Sequence, residues 1–291
     1  MLMPNFKKEY RGVMMFLISF FKKKTESIAI KSLSFTTVFL YFFILLNSQS
    51  VVFAQNSPSS PQTIIIGGDF DYPPYEFLDD QGFPTGYAVE LTQAIADVMG
   101  AKVEIRLGSW DHMRIALEKG EIDALQGMVF TDDRKKKYDF TPPHAIIHQS
   151  IFYRKGSSKA QGIEALKEKD VIVQKGGSIH DTFLKMGMDD KLVLTDTHAS
   201  ALRLLASGKH DYAVVANLPG LYLGKKLHLS NLVMSGKPIK SFRYCYAVKK
   251  GNIELLALLN EGLAILKGCG SFATCLTTVF SSHTYSSFFF I

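Results

Sequence analysis

One local pattern occurs twice in this chain and limits what it can fold into. In ALEKGEIDALQG (116–127) and again in LLASGKHDYAVVA (204–216), a helix-like stretch ends at glycine, two residues pass, an aspartate follows and a buried apolar run begins. A helix that feeds straight into such a run is the joint of an α/β unit, in which strands are covered on both faces. Gly120 and Gly208 lie too far apart for stacked solenoid repeats, so the pattern predicts two similar α/β lobes.

The segments between these joints agree. Leu91, Ala94, Ile95, Val98 and Met99 keep the spacing of an amphipathic helix, and Gly100 stops it. Val103 to Leu107 alternates as a half-buried strand, and Ser109 is placed to cap a helix that runs to Gly120. A second lobe is expected over 154–242, with strand Val171-Ile172-Val173, a turn at Gly176-Gly177 and a helix through Leu202 and Leu205. The chain then crosses back near Phe242–Lys249, and helix Leu255–Leu266 returns to a first lobe made of 63–153 plus 243–267. Two crossing strands between two lobes make a hinge, and the cleft they span is where a ligand lies.

The chain has 291 residues, 47% hydrophobic and 21% charged, the profile of a folded protein with a real core. Its net charge of +6 is concentrated in residues 1–54, where seven Lys and Arg face only Glu9 and Glu26. The remainder is nearly neutral, which removes any charge argument for a nucleic-acid partner. Those first 54 residues read as a signal peptide or membrane anchor: basic residues through Lys31, an apolar run from Leu33 to Leu46, then Val52-Phe53-Ala54 as a small-residue cleavage site. Residues 55–62, QNSPSSPQ, are a polar linker. The three cysteines form no CxxC pair, so neither a disulfide framework nor a zinc site is expected.

Chemistry concentrates in GDFDYPPYEFLDDQGFPTGY (68–87). Asp69 sits just past the β-branched run Ile64-Ile65-Ile66, Tyr72 follows, and Pro73-Pro74 forbid a helix. Ligands of open α/β sheets lie outside the carboxyl ends of the strands, so an acid and an aromatic ring fixed there suggest a small-molecule pocket. The competing reading is an ordinary strand exit.

Together with GYAVELTQAIADVMG, SWDHMRIALEKGEIDAL and TDDRKKKYDFTPPH, this stretch resembles the family 3 extracellular solute-binding proteins, the polar amino acid-binding type, from about Thr63 to Lys267. The resemblance implies a two-lobed periplasmic binding protein fold (type II), α/β throughout, closing on a small polar ligand without cofactor. It assigns Asp69 to the ligand's ammonium, Tyr72 and Trp110 to the aromatic pair around its side chain, and Arg134 to its carboxylate. Ser178, after the Gly-Gly turn, is to help from the second lobe. The segments VIVQKGGSIHD and DTHASALRLLASGKHDYAVVANLPGLY are further similar to versions fused to sensor kinases and diguanylate cyclases, so the implied partner is an ABC permease or a fused or partner sensor kinase. The sequence departs from the family in two places. The second ammonium-binding acid is due near Ala216, where only Asn217 offers a polar group. The hydroxyl-bearing positions before the arginine are Gly127, Met128 and Val129.

Bland alternatives stand beside these roles. Trp110 fits a core ring at a helix start, and Arg134 fits a solvated basic face with the lysines after it. His144 and His148 have metal-ligand spacing, but Pro142-Pro143 and the β-rich residues around them argue against a metal helix. The competing function is an enzyme on the same fold, similar to the periplasmic cyclohexadienyl dehydratases, with Asp69 and Glu76 as its only tempting acids. Residues 268–291 carry no charge and show no helical period, and are expected to be an aberrant tail from a shifted reading frame.

Overall fold

The computed structural model describes residues 63–268. The expected leader, the linker and residues 269–291 of the expected aberrant tail lie outside the described residues.

The first lobe is built on β1 (Ile64–Asp69), β5 (Val103–Gly108) and β6 (Ala124–Val129), which run parallel with β1 in the middle. The second repeats the arrangement with β9 (Val171–Gln174) between β10 (Leu192–Thr195) and β11 (Tyr212–Ala216). Two long strands join them: β8 (Ala145–Arg154) pairs antiparallel with β11, and β13 (Lys240–Lys249) pairs antiparallel with β6. They also pair with each other, from Gln149 opposite Lys240 to Ala145 opposite Tyr244. The result is one curled sheet in the order β10-β9-β11-β8-β13-β6-β1-β5, with β7 (Tyr138–Phe140) beside β13 and β12 (Leu232–Met234) beside β8. A small sheet of β2 (Asp71–Tyr72), β3 (Glu76–Leu78) and β4 (Pro84–Thr85) follows β1.

Helices cover the strands as the apolar spacing requires. In the first lobe α1 (Tyr87–Met99) packs Ile95 against α7 (Ile253–Gly268) at Gly262, where a side chain would collide with it. On α2 (Trp110–Lys119), Trp110, Met113 and Leu117 cluster with Leu125 and Met128 of β6. Ser109 holds the N-cap position of α2, but its hydroxyl makes no capping bond; what it contributes is an extended backbone that turns the chain into the helix. The repeated joint is the same in both lobes. Gly120 and Gly208 take the left-handed conformation (φ 79° and 88°), which ends each helix at no steric cost. Asp123 then accepts the Ile65 N–H at 2.7 Å, whereas Asp211 pairs with Arg154 at 2.7 Å, so the aspartate ties each joint to a nearby strand of the sheet.

The short α3 (Arg134–Lys137) follows β6 in the first lobe, and the second lobe adds α4 (Ser178–Lys185), α5 (His198–Ala206) and α6 (Asn217–Lys226). Its core is apolar and fully enclosed, with Phe183 of α4 packed in the cluster that holds Val171, Ile172, Leu202 and Leu205. Phe183→Ala is expected to cost about 3–5 kcal/mol, the usual range for deleting a buried ring. In a domain of this size that lowers the melting temperature by roughly 10 °C, read by circular dichroism. A shift under a few degrees would mean that the lobe packs loosely around Phe183.

Candidate functional site

Strand ends and the crossing strands deliver their side chains to one cavity between the lobes. Five of the sequence-predicted residues with side chains, Asp69, Tyr72, Trp110, Arg134 and Ser178, line it, together with Gly127. Two others do not. On β6 the side chains alternate, so Gly127 and Val129 face the cavity while Met128 turns away into the core beside α2. Asn217 lies past the end of β11 as the first residue of α6, and the wall contributed by β11 is Val214.

Asp69 stands at the carboxyl end of β1, almost wholly buried. It accepts the Asp71 N–H at 2.9 Å and, across the cleft, the Gln174 amide at 2.6 Å. Burial outweighs these bonds and pushes its pKa up to about 7. Glu76, at the start of β3, is fully enclosed; Tyr244 of β13 donates to its Oε1 at 3.0 Å. Burial raises Glu76 to about 8; the Asp69 N–H is the largest opposing pull, the Asp69 charge adds a lesser push upward, and Gln126 and Tyr244 pull it down. Both residues reach the cavity floor because glycine lies beneath them. A Cβ on Gly68 would overlap the Glu76 carboxylate, and one on Gly127 would overlap the Tyr244 hydroxyl. Gly127, where the resemblance expects a hydroxyl-bearing residue, thus leaves room for the Tyr244 hydroxyl from the crossing strand.

Arg134 opens α3 and is 4% exposed, which decides against the solvated basic face. Its Nε and Nη2 donate to Asp181 of α4 at 3.1 and 2.8 Å, and Nη2 also donates to the Gly176 carbonyl at 2.9 Å. Trp110 donates its indole N–H to that same carbonyl at 2.8 Å, with the guanidinium 5.7 Å from its ring. Trp110 is therefore both core and wall. Tyr72 packs edge-on against His198 and tilts toward Tyr244. Further bonds cross the cleft from Ala199 N to Asp71 at 2.9 Å and from Lys175 to Asp111 at 3.0 Å, so the lobes are drawn together.

Several lining residues were missed by the sequence reading. Gln174 ends β9 as Asp69 ends β1, and the same strand-end rule would have found it. Gln149, Tyr244 and His198 carry no local signal, because their place depends on the pairing of the crossing strands and on the entry into α5. His144 bonds the Gln126 carbonyl and His148 bonds Ser241, so the two rings point to different partners.

The cleft between the two α/β lobes is lined by an acid, aromatic rings and a buried arginine, and the sequence matches a family model over residues 64–282. The chain belongs to the bacterial extracellular solute-binding proteins, family 3. The L-cystine-binding protein of Escherichia coli K12 is 30% identical over 212 residues, 72% of this chain and 79% of its own length. Among solved structures, a histidine kinase sensor domain with similarity to periplasmic binding proteins is 48% identical, with a TM-score of 0.73 over 75% of this chain and 95% of that one. An ancestral arginine-binding protein bound to arginine is 32% identical, with a TM-score of 0.70 over 75% and 98%. The periplasmic binding protein fold expected from the sequence is therefore shown, and so is the solute-binding family.

Proposed function

We propose that the chain is exported and binds one small amino acid-like solute outside the cytoplasmic membrane, its lobes closing on the hinge strands β8 and β13. The observation that carries this reading is Arg134, a guanidinium buried in the cavity wall. A planar, permanently charged fork of donors kept from water is suited to a carboxylate. Asp69 takes a cationic group of the solute, Tyr72 and Trp110 flank its apolar part, and Ser178 contributes from α4. The relative with the higher identity is a sensor domain, which favours sensory input to a kinase over delivery to an ABC permease.

The test is a thermal-shift screen of the purified chain against amino acids, small carboxylates and polyamines. A ligand that binds only the folded state raises the melting temperature by mass action. At least one amino acid is expected to do so. Stabilisation by polyamines alone would overturn the carboxylate role of Arg134.

A second reading rests on the raised carboxyls of Asp69 and Glu76, since proton-holding acids in an enclosed cleft also suit acid catalysis on a prephenate-like acid. Turnover of prephenate, lost in Asp69→Asn, would establish it; the related proteins named above are binding proteins and a sensor domain.

A further inference from the structure

Around the cavity, four links between the lobes share one charge pattern. Asp71, at the start of β2, accepts the N–H of Ala199 in α5 at 2.9 Å. Asp80, between β3 and β4, pairs at 3.0 Å with Lys226 at the end of α6. Asp111 of α2 pairs at 3.0 Å with Lys175, just past β9, and Asp133 pairs with Lys185 at the end of α4. Each acid belongs to the first lobe and each positive group to the second. Three of those groups are lysines and the fourth is the amino end of a helix, which carries partial positive charge. Arg203 and Lys226 add to the attraction on Asp71. The Arg134–Asp181 pair runs the other way, but its guanidinium is buried, where salt screens least.

The start of α5 is capped from two directions. Its own Thr197 accepts the Ser200 N–H at 3.0 Å, whereas the Ala199 N–H takes its bond from across the cleft. The first turn of a helix offers neither N–H a partner of its own. Parting of the lobes therefore returns the Ala199 N–H to water and leaves Ser200 capped.

We propose that these four links form an electrostatic latch that holds the lobes together before any solute arrives, and that ionic strength sets how firmly it holds. The inference goes beyond the solute-binding reading and does not depend on which solute binds. The latch is within reach of salt, because the side chains of Lys175, Lys185 and Lys226 are 52%, 63% and 44% exposed. The screening length falls from about 30 Å at 0.01 M salt to less than about 10 Å at 0.5 M. One exposed pair shifts an equilibrium by about 1.5- to fivefold, so the four together move the ratio of closed to open protein by about tenfold or more. Solute enters the open form, so the latch weakens apparent affinity in proportion to the closed share. A partner that reads the closed shape meets it in the empty protein at low salt.

The test is amide hydrogen exchange, read residue by residue by nuclear magnetic resonance on the empty full chain, at about 0.01 M and about 0.5 M sodium chloride. The double variant Lys175→Gln, Lys226→Gln is measured beside it. Both lysines are exposed, so the variant is expected to fold, and its melting curve checks this. In the wild type, Ala199 should exchange about tenfold faster at high salt while Ser200 changes little. In the variant, Ala199 should already be fast at low salt and gain little more from added salt. An Ala199 rate that ignores both salt and the variant would mean that the bonds at the cavity alone hold the lobes, and the latch falls. An Ala199 amide as unprotected at low salt as at high salt would mean that the empty lobes stand apart, and it falls again. If Ser200 accelerates together with Ala199, the change is fraying of α5 and not parting of the lobes, which also overturns the proposal. The wild-type salt series decides by itself should the variant not fold.

Discussion

Arg134→Met is expected to abolish amino acid binding, by about a hundredfold or more in affinity. Truncating one partner of a desolvated, hydrogen-bonded charge pair commonly costs 2–5 kcal/mol, and about 1.4 kcal/mol is tenfold. The loss is expected to fall on the ligand more than on the fold. Asp181, which now holds the guanidinium, has a side chain 31% exposed and returns to water when its partner goes. The Gly176 carbonyl keeps the Trp110 indole. Ligand-free melting should therefore move by only a few degrees. Arg134→Lys separates charge from shape: an ammonium keeps the positive charge but loses the fork that reaches Asp181 and Gly176 together. It should bind weakly, between wild type and Met. Titration of whichever amino acid raises the melting temperature reads all three proteins. Wild-type-like affinity in Arg134→Met would remove Arg134 from the site.

Legibility in the sequence divided along physical lines. Elements defined by local rules were readable: the spacing of Leu91 through Met99, the alternation over Val103–Leu107, and the twice-used glycine, aspartate and strand joint all found their places in the fold. Asp69 and Tyr72 were legible as cleft candidates because they follow the end of β1, whereas Trp110 was named only through the family resemblance; all three line the cavity. Met128 and Asn217 lie off the cavity lining for a related reason. Strand alternation sends every second residue of β6 behind the sheet, and a one-residue difference at the end of β11 moves Asn217 onto a helix. Tyr244 was beyond local reasoning altogether. It depends on the register between β13 and β6, with its irregularity between Cys245 and Ala247, and on a glycine in a different segment that leaves room for its hydroxyl. Glu76 is legible in the sequence only as a tempting acid, and the hydroxyl that bonds it is that same Tyr244.

The pH dependence of the ligand-free protein follows from the same acids. Asp69 and Glu76 rise on folding from 3.8 and 4.5 to about 7 and about 8, with burial as the main cause. Between those limits the native state holds protons that the unfolded chain has lost, so stability falls as pH rises through the window. The buried histidines act the other way. His144 and His198 fall from 6.5 to about 3 and about 4, again by burial, so they remain neutral in the fold while the unfolded chain takes up protons below 6.5. Their contribution makes stability rise with pH from about 4 and levels off above 6.5. Below 6.5 the two effects oppose each other; from 6.5 to 8 only the acids act. Each proton is worth up to about 1.4 kcal/mol per pH unit, so roughly 2–3 kcal/mol is lost across that interval. That corresponds to a fall of about 5–10 °C in melting temperature for a domain of this size. Thermal melts at pH 6.5, 7.2 and 8.0 read it directly. The double variant Asp69→Asn, Glu76→Gln holds no titrating group at these positions and should show a flat profile across the same interval. A wild-type profile that is level or rising above pH 6.5 would mean that the two carboxyls are already ionised in the empty cleft.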